Sequence, residues 1–234
     1  MIRGQVQKVK ELSKSEIDSM FQLMNDYYDN FHYDTFITDL SKKDSVIVLR
    51  NENAEIKGFS TIVFYDMKIK NNVYKILFSG DTIIHKDYWA QNDLPAVWLK
   101  FAFEKQKEFN KPLYWLLISK GYKTYKYLNT FFKSYYPNPN AITPEIEQSL
   151  IDEFGKVFYP DKYDKEHGIL RMNGSKDYLK KEFAEISEEK IKNDKIVQFF
   201  LEKNPKYYDG NELVCIAEVS SDNLSKAGKK ALGI

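Results

Sequence analysis

The alternation of apolar and polar positions divides the first part of the chain into a strand and two helices. Residues Gln5–Leu12 alternate loosely, as strands do. A helix is predicted over Ser15–Tyr28, with Ser15 as its N-cap and acidic residues in its first turn, where the helix dipole favours negative charge. A second, short helix is predicted over Thr35–Lys42. The buried stripe of the longer helix consists of Ile17, Met20, Phe21 and Met24.

Three β-branched and apolar runs follow and predict an antiparallel meander. They are Ser45–Leu49, Ile56–Phe64 and Val73–Ile84, of which the last is long. Asn71 and Asn72 separate the second run from the third. Because Asn tolerates positive φ, this pair suits a tight hairpin turn.

A helical crossover separates the meander from an almost wholly apolar run, Leu113–Ile118, which suits a buried strand. Asp93 and Pro95 are typical of the start of that crossover helix. Because the apolar run comes after a crossover, we expect it to lie parallel to the strand at Val73–Ile84. A second amphipathic helix follows, and its apolar stripe consists of Tyr122, Tyr125, Leu128 and Phe132.

Beyond Pro137 and Pro139 the pattern predicts further helices and one more strand, Glu212–Val219. Helices are expected from Thr143 to Phe158, over Ser187–Lys203 and after Asp222, and a loop over Tyr159–Gly168. The predicted fold class is α/β with a mixed sheet. We assign residues 1–137 to a core and residues 138–234 to an extension packed on the same domain. The final strand completes the sheet, because it would otherwise have no partner.

Composition narrows the range of partners. The net charge is +1, from 35 basic and 34 acidic residues, so no overall field draws in nucleic acid or an anionic membrane. The single Cys215 excludes a disulfide framework within the chain and fits a reducing cytoplasm. Residues 1–10 carry no apolar stretch of signal-peptide type, and no run approaches a membrane span. We therefore expect a cytoplasmic protein with no nucleic-acid or membrane partner.

The order of elements and the segment Asp81–Leu94 together resemble the GNAT acyltransferase superfamily, over roughly residues 5–136. The resemblance implies that the strands at Val73–Ile84 and Leu113–Ile118 splay apart. The pantetheine arm of an acyl-CoA would lie in the gap, and the backbone at a helix start would hold its pyrophosphate. The donor-binding residues that the resemblance implies are Ile83, Ile84, Ala90, Gln91, Asn92, Asp93 and Leu94.

The phosphate loop departs from the family's pattern. Trp89 stands where the family carries Arg, and Asn92 and Leu94 stand at the positions of its small residues. Asp93 adds a negative charge where a pyrophosphate would bind, and a capping carboxylate would occupy the donors that phosphates need. Two interpretations stay open: the fold binds acetyl-CoA or another acyl-CoA through the strand gap, or it has lost this site and serves as a non-catalytic binding or regulatory protein.

Acyl transfer to an amine needs a base for the amine and an acid for the leaving thiolate. By the resemblance, Asp81 is the candidate base, with a strand-edge turn residue as the alternative. The family's usual Tyr acid aligns with Phe132, so Tyr127 or Tyr135 is the substitute, each otherwise a boundary tyrosine. His85 is a further catalytic candidate, because histidine titrates near neutral pH.

Other groups favour ordinary structural roles. Cys215 lies on one face of an alternating strand and is expected to be buried. The acidic loop with His167 lacks the spacing of a calcium or zinc site, so we predict no metal. The Lys and Tyr residues of 120–133 are expected to separate on an amphipathic helix. The predicted function is acyl transfer from acyl-CoA to an unknown acceptor, expected to be an amine, and exposed aromatic residues leave a homodimer open.

Overall fold

The computed structural model describes residues 2–89, 91, 93–172 and 177–234. The strands are β1 (Arg3–Lys8), β2 (Tyr28–Asp29), β3 (Ser45–Arg50), β4 (Ile56–Ile69), β5 (Asn72–Ile84), β6 (Leu113–Ser119), β7 (Tyr163–Asp164), β8 (Ile169–Leu170), β9 (Tyr178–Leu179) and β10 (Glu212–Glu218). The helices are α1 (Lys14–Tyr27), α2 (Tyr33–Leu40), α3 (Asp93–Glu108), α4 (Tyr122–Phe131), α5 (Glu145–Phe158), α6 (Lys181–Ala184), α7 (Glu188–Asn193), α8 (Lys195–Lys203) and α9 (Lys226–Leu232).

The described strands form an eight-stranded sheet in the order β1-β3-β4-β5-β6-β10-β8-β7, and β2 pairs with β9 beside it. Neighbouring strands are antiparallel except β5 and β6, which are parallel. The predicted α/β class and the parallel placement of β6 are therefore confirmed. The element order of the GNAT resemblance is also the observed order. β10 pairs with the free edge of β6, so residues after 137 extend the same sheet.

Helices cover both faces of the sheet, and alternate strand residues point to opposite sides. In β3, Ile47 and Leu49 join the core beneath α3 and α4, whereas Val46 and Val48 join the core beneath α1 and α2. A third apolar cluster packs α5 against β4, β5, β6 and β10. Among the described residues, no helix is long and apolar enough to span a membrane.

The predicted start of the first helix is wrong by two residues. Ser13, not Ser15, is the N-cap, because its hydroxyl accepts from the Glu16 N–H at 3.2 Å. Glu16 Oε2 in turn accepts from the Ser13 N–H at 2.8 Å, which completes a reciprocal capping box. In the β4–β5 hairpin, positive φ falls on Lys70 (54°) and not on the predicted Asn pair.

Two predictions in the C-terminal part are also wrong. The helix expected over Ser187–Lys203 is two helices, because the Asp194 carboxylate accepts from the Ile196 and Val197 N–H groups and caps α8. The loop expected over Tyr159–Gly168 contributes β7, which pairs with β8. Two-residue strands are too short to show the alternation that predicts them.

Candidate functional site

The parallel strands β5 and β6 separate part of the way along their length. Their pairing runs from Lys75 opposite Leu113 to Ser79 opposite Leu117. Beyond that point β5 continues to Ile84, but no pairing with β6 is found. The space between the diverging segments is called the slot below, and Ser79 lies at its closed end.

A β-bulge lies where the strands separate. Ser60 pairs with Thr82, but Ile62 pairs with Ser79, so β5 carries one extra residue at Gly80 and Asp81. The extra residue inverts the alternation, which puts Ser79 and Thr82 on the same face. A Cβ on Gly80 would come within 2.6 Å of Thr61 Oγ1, so this position requires a residue without a side chain.

The bulge also decides which backbone groups of β5 face the slot. The His85 N–H donates to the Lys57 carbonyl at 2.8 Å. Hydrogen-bonded pairs alternate in antiparallel strands, so Ile83 directs its N–H and C=O to β4, whereas Thr82 and Ile84 direct theirs away from it. Ile83, which the resemblance implies as a donor-binding residue, therefore directs its backbone groups to β4, and the backbone groups of Thr82 face the slot.

The closed end of the slot is a cavity of about 40 Å³ with an aromatic wall. The indole N–H groups of Trp98 on α3 and Trp115 on β6 both donate to the Ser79 hydroxyl oxygen, each at 3.0 Å. The two indoles pack with ring centroids 4.3 Å apart. The remaining wall comes from α3 and α4 and includes Leu94, Leu99, Tyr127 and Phe131.

A main cleft of about 930 Å³ adjoins the slot. Gly80, Thr82, Thr124 and Tyr127 line both spaces, so the two are continuous. Aromatic side chains from α1, the β5–α3 connection and the C-terminal part supply much of the cleft wall. They include Tyr27, Phe31, Trp89, Tyr159, Phe183 and Tyr207.

The structure brings two of the predicted catalytic residues into the cleft. Asp81 lines the main cleft, and Tyr127 lines both the cleft and the slot. Burial raises the pKa of Tyr127, so its hydroxyl stays protonated at neutral pH. The ring of Tyr127 stacks on Phe131 at 6.0 Å. A carboxyl group and a phenol therefore line one space.

The alternative candidates lie elsewhere. His85 is absent from the described lining of both spaces, and its Nδ1 accepts from the Asp87 N–H at 3.4 Å. Tyr135 is buried and donates to Asn129 Oδ1 at 3.0 Å. Desolvation raises the pKa of Tyr135 to about 12, and it does not line the slot or the cleft.

The described residues of the predicted phosphate loop make different contacts. Gln91 Oε1 accepts from the Ile2 N–H at 3.1 Å, which ties the loop to the start of β1. Asp93 is the first residue of α3, and Leu94 is buried and lines the slot. Ala90 and Asn92, also predicted to bind the donor, lie outside the described residues.

Trp89 and Lys123 meet across the open end of the slot. Trp89 follows the end of β5, and Lys123 lies in the first turn of α4, which follows β6. The Lys123 ammonium is 3.4 Å from the centroid of a Trp89 ring. The indole N–H donates to the Ile84 carbonyl at 2.7 Å. The predicted donor contact at Ile84 is thus occupied by a side chain of the protein itself.

Ion pairs hold the C-terminal part against the cleft. Lys120 pairs with Asp177, and its ammonium lies 3.6 Å from Glu212 Oε1. Lys126 of α4 pairs with Asp194 at 2.7 Å. Within the described residues, no group of three His, Cys, Asp or Glu side chains is arranged to hold a metal ion. Cys215 is fully buried on β10, and burial raises the pKa of its thiol.

Sequence reasoning missed the contacts among Ser79, Trp98 and Trp115, because these residues come from three separate elements. A serine and a glycine inside an apolar strand are the one signal for the bulge. The sequence did not show which aromatic residues of the C-terminal part line the cleft, since local periodicity does not reveal which loop folds over it.

The protein is similar to known proteins in structure. Neither a protein-family model nor a curated protein matches the chain. A conserved Enterococcus faecalis protein of unknown function, described as a probable N-acyltransferase, is similar at 15% identity and TM-score 0.41, over 56% of this chain and 33% of that protein. A GNAT family N-acetyltransferase from Escherichia coli, solved with CoA, is similar at 10% identity and TM-score 0.40, over 56% of this chain and 69% of that one. A Trypanosoma brucei acetyltransferase is similar at 12% identity and TM-score 0.41, over 62% of this chain and 99% of that protein.

Proposed function

We propose that the protein transfers an acyl group from a CoA thioester to an acceptor amine. The observation that supports this most is the divergence of β5 and β6 beyond Ser79 and Leu117, which opens a slot into a large cleft. A thioester arm fits between two such strands, because beyond the last pair the strands no longer bond to each other and the backbone groups of Thr82 face the gap. The cleft then receives the acceptor.

In this proposal the acceptor amine attacks the thioester carbonyl carbon directly. Asp81 accepts the proton that the attacking amine loses, and the new C–N bond forms as the C–S bond breaks. The Tyr127 hydroxyl donates a proton to the leaving thiolate. Its raised pKa keeps that proton in place at neutral pH until the thiolate develops.

Acyl-CoA, the proposed donor, is a substrate. The residues of the chain fit its pantetheine arm better than its diphosphate. Thr82 presents its backbone groups to the slot, as a pantetheine arm requires. Asp93 at the start of α3 repels a pyrophosphate, so the diphosphate of CoA is expected to lie away from that helix start. Lys123, whose ammonium lies over the Trp89 ring at the open end, is the candidate cation for it.

Thermal shift assays with acetyl-CoA, longer acyl-CoAs and free CoA test donor binding, since a ligand of the native state raises the midpoint. Turnover assays of Asp81→Asn and Tyr127→Phe then test the two roles. We expect each substitution to lower kcat by about 100-fold. Tyr135→Phe is the matched control, since that hydroxyl faces neither space. Full activity of Asp81→Asn would remove the base assignment.

A second candidate function is non-catalytic ligand binding on the same scaffold. It is favoured by the Trp89 indole, which bonds the Ile84 carbonyl where a donor would bind. Under this alternative, no CoA species shifts the melting midpoint, yet another ligand occupies the cleft. A cytoplasmic location belongs to the first proposal, because acyl-CoA is the co-substrate. The predicted homodimer stays a prediction that size-exclusion chromatography tests.

A further inference from the structure

The Ser79 hydroxyl at the closed end of the slot is bonded in an unusual way. Two indole N–H groups donate to its oxygen, from Trp98 and Trp115, each at 3.0 Å. A hydroxyl oxygen has two lone pairs, and both are used by these donors. The hydroxyl hydrogen is therefore directed elsewhere, and no described residue accepts it. Ser79 lines the slot, so that space is where an acceptor for this hydrogen would lie.

The surroundings make this hydroxyl a fixed and strengthened donor. Ser79, Trp98 and Trp115 are all buried, with exposed fractions of 6% each. Hydrogen bonds accepted by an oxygen polarise its own O–H bond, which makes it a better donor. Because each indole is held by a hydrogen bond and by the other ring, the wall that the two rings form is rigid.

The size of the cavity limits what can reach the hydroxyl. The cavity beside the hydroxyl has a volume of about 40 Å³, which is enough for a small group only. An acyl group of two or three carbons is such a group. A longer chain that points toward the closed end would have to displace an indole from its hydrogen bond to Ser79.

We propose that Ser79, Trp98 and Trp115 form the acyl end of the donor site. The Ser79 hydroxyl donates to the acyl carbonyl oxygen, and the two indoles restrict the acyl group to two or three carbons. This rests on the proposed function. It adds a donor to the carbonyl and a limit on chain length, neither of which follows from the diverging strands alone.

Turnover of the unaltered full chain with acetyl-, propionyl-, butyryl-, hexanoyl- and octanoyl-CoA tests the length limit. We expect kcat/KM to be at least 10-fold lower for hexanoyl-CoA than for propionyl-CoA. Free CoA is expected to bind in a separate binding assay. Equal kcat/KM for acetyl- and octanoyl-CoA would overturn the length limit alone. Failure of free CoA and of every acyl-CoA to bind would instead overturn the proposed function.

Variants identify the residues responsible. Trp98→Leu enlarges the cavity, because it replaces an indole of the wall by a smaller side chain. It is expected to raise kcat/KM for hexanoyl-CoA relative to acetyl-CoA by about 10-fold. Phe103→Leu is the matched control, because Phe103 is a buried aromatic residue of the same helix that does not line the slot. If Phe103→Leu shifts the length profile as much as Trp98→Leu does, the indole wall is not the determinant.

Ser79→Ala tests the donor role. We expect kcat/KM for acetyl-CoA to fall by about 10- to 100-fold, mostly in kcat, because a donor to the carbonyl also faces the developing oxyanion. A melting curve of the variant checks that it folds. If Ser79→Ala folds and keeps full kcat, the hydroxyl has no part in the reaction. If it does not fold, Ser79→Cys, which keeps a small side chain with a weaker donor, replaces it and is held to the same criterion.

Discussion

Replacing Trp89 by Phe is expected to tighten the binding of acetyl-CoA. The indole N–H of Trp89 bonds the Ile84 carbonyl at 2.7 Å, and this carbonyl is one of two that β5 directs toward the slot. A pantetheine arm that uses the same carbonyl must first displace the indole. Phenylalanine retains an aromatic ring for the Lys123 ammonium but carries no N–H.

The size of the effect follows from the single bond that is removed. A hydrogen bond of this kind contributes about 0.5–1.5 kcal/mol net in water. If the free protein no longer makes it, the dissociation constant for acetyl-CoA falls by about 2- to 10-fold. Phenylalanine retains the contact between the Lys123 ammonium and an aromatic ring, so this contact does not contribute to the change in the dissociation constant.

Isothermal titration calorimetry of both proteins with acetyl-CoA measures the change. Tyr88→Phe is the control, since Tyr88 is the neighbouring aromatic residue and lines neither the slot nor the cleft. Unchanged affinity of Trp89→Phe would show that the Ile84 carbonyl takes no part in donor binding. Weaker binding would show that the indole is itself part of the donor site, and both results contradict the reasoning.

Three further predictions concern charge and burial. Asp93→Asn is expected to leave the dissociation constant of free CoA unchanged in calorimetry, because the diphosphate is proposed to lie away from the start of α3; a constant lower by about 3-fold or more would show that Asp93 repels the bound diphosphate and would overturn that placement. Burial opposes ionisation of Asp194, but hydrogen bonds from Lys126, Lys190 and a backbone N–H lower its pKa from 3.8 to about 2. The stability that ionised Asp194 contributes is therefore complete above pH 4 and is lost as the pH falls toward 2. Asp194→Asn retains the capping oxygen but cannot ionise. In chemical denaturation its free energy of unfolding should vary less with pH over this range, by about 1 kcal/mol. Thr61 Oγ1 is fully buried and has no hydrogen-bond partner among the described residues, so Thr61→Val is expected to raise the free energy of unfolding by about 1 kcal/mol; a loss of stability would indicate an ordered water at that oxygen.

The parts of the fold that the sequence predicted are those where long elements carry a clear period. Leu113–Ile118 is a continuous apolar run after a crossover helix, so both its burial and its parallel direction could be inferred. The break at Asp194 could not, because no Gly or Pro between Ser187 and Lys203 marks it. The β7–β8 pair lies in a segment where each strand is too short to have a pattern.

The candidate site was predictable only where it lies along one strand. Asp81 and Tyr127 came from the resemblance, and the structure places both beside one cleft. The register shift at Gly80 could not be predicted from the sequence, and with it the backbone groups of Thr82, not those of Ile83, face the slot. The bonds from Trp98 and Trp115 to Ser79 join residues far apart in sequence, which no local pattern reveals.

The pairing of β10 with β6 bears on how the protein is made. While the ribosome is still adding residues beyond 137, β6 has a neighbour on one edge only, and its other edge can pair with another nascent chain. Residues 120–211 separate β6 from β10, so the edge of β6 stays exposed while all of them are added. Pairing with so distant a partner slows folding, and the exposed edge of β6 is open to aggregation until β10 pairs with it.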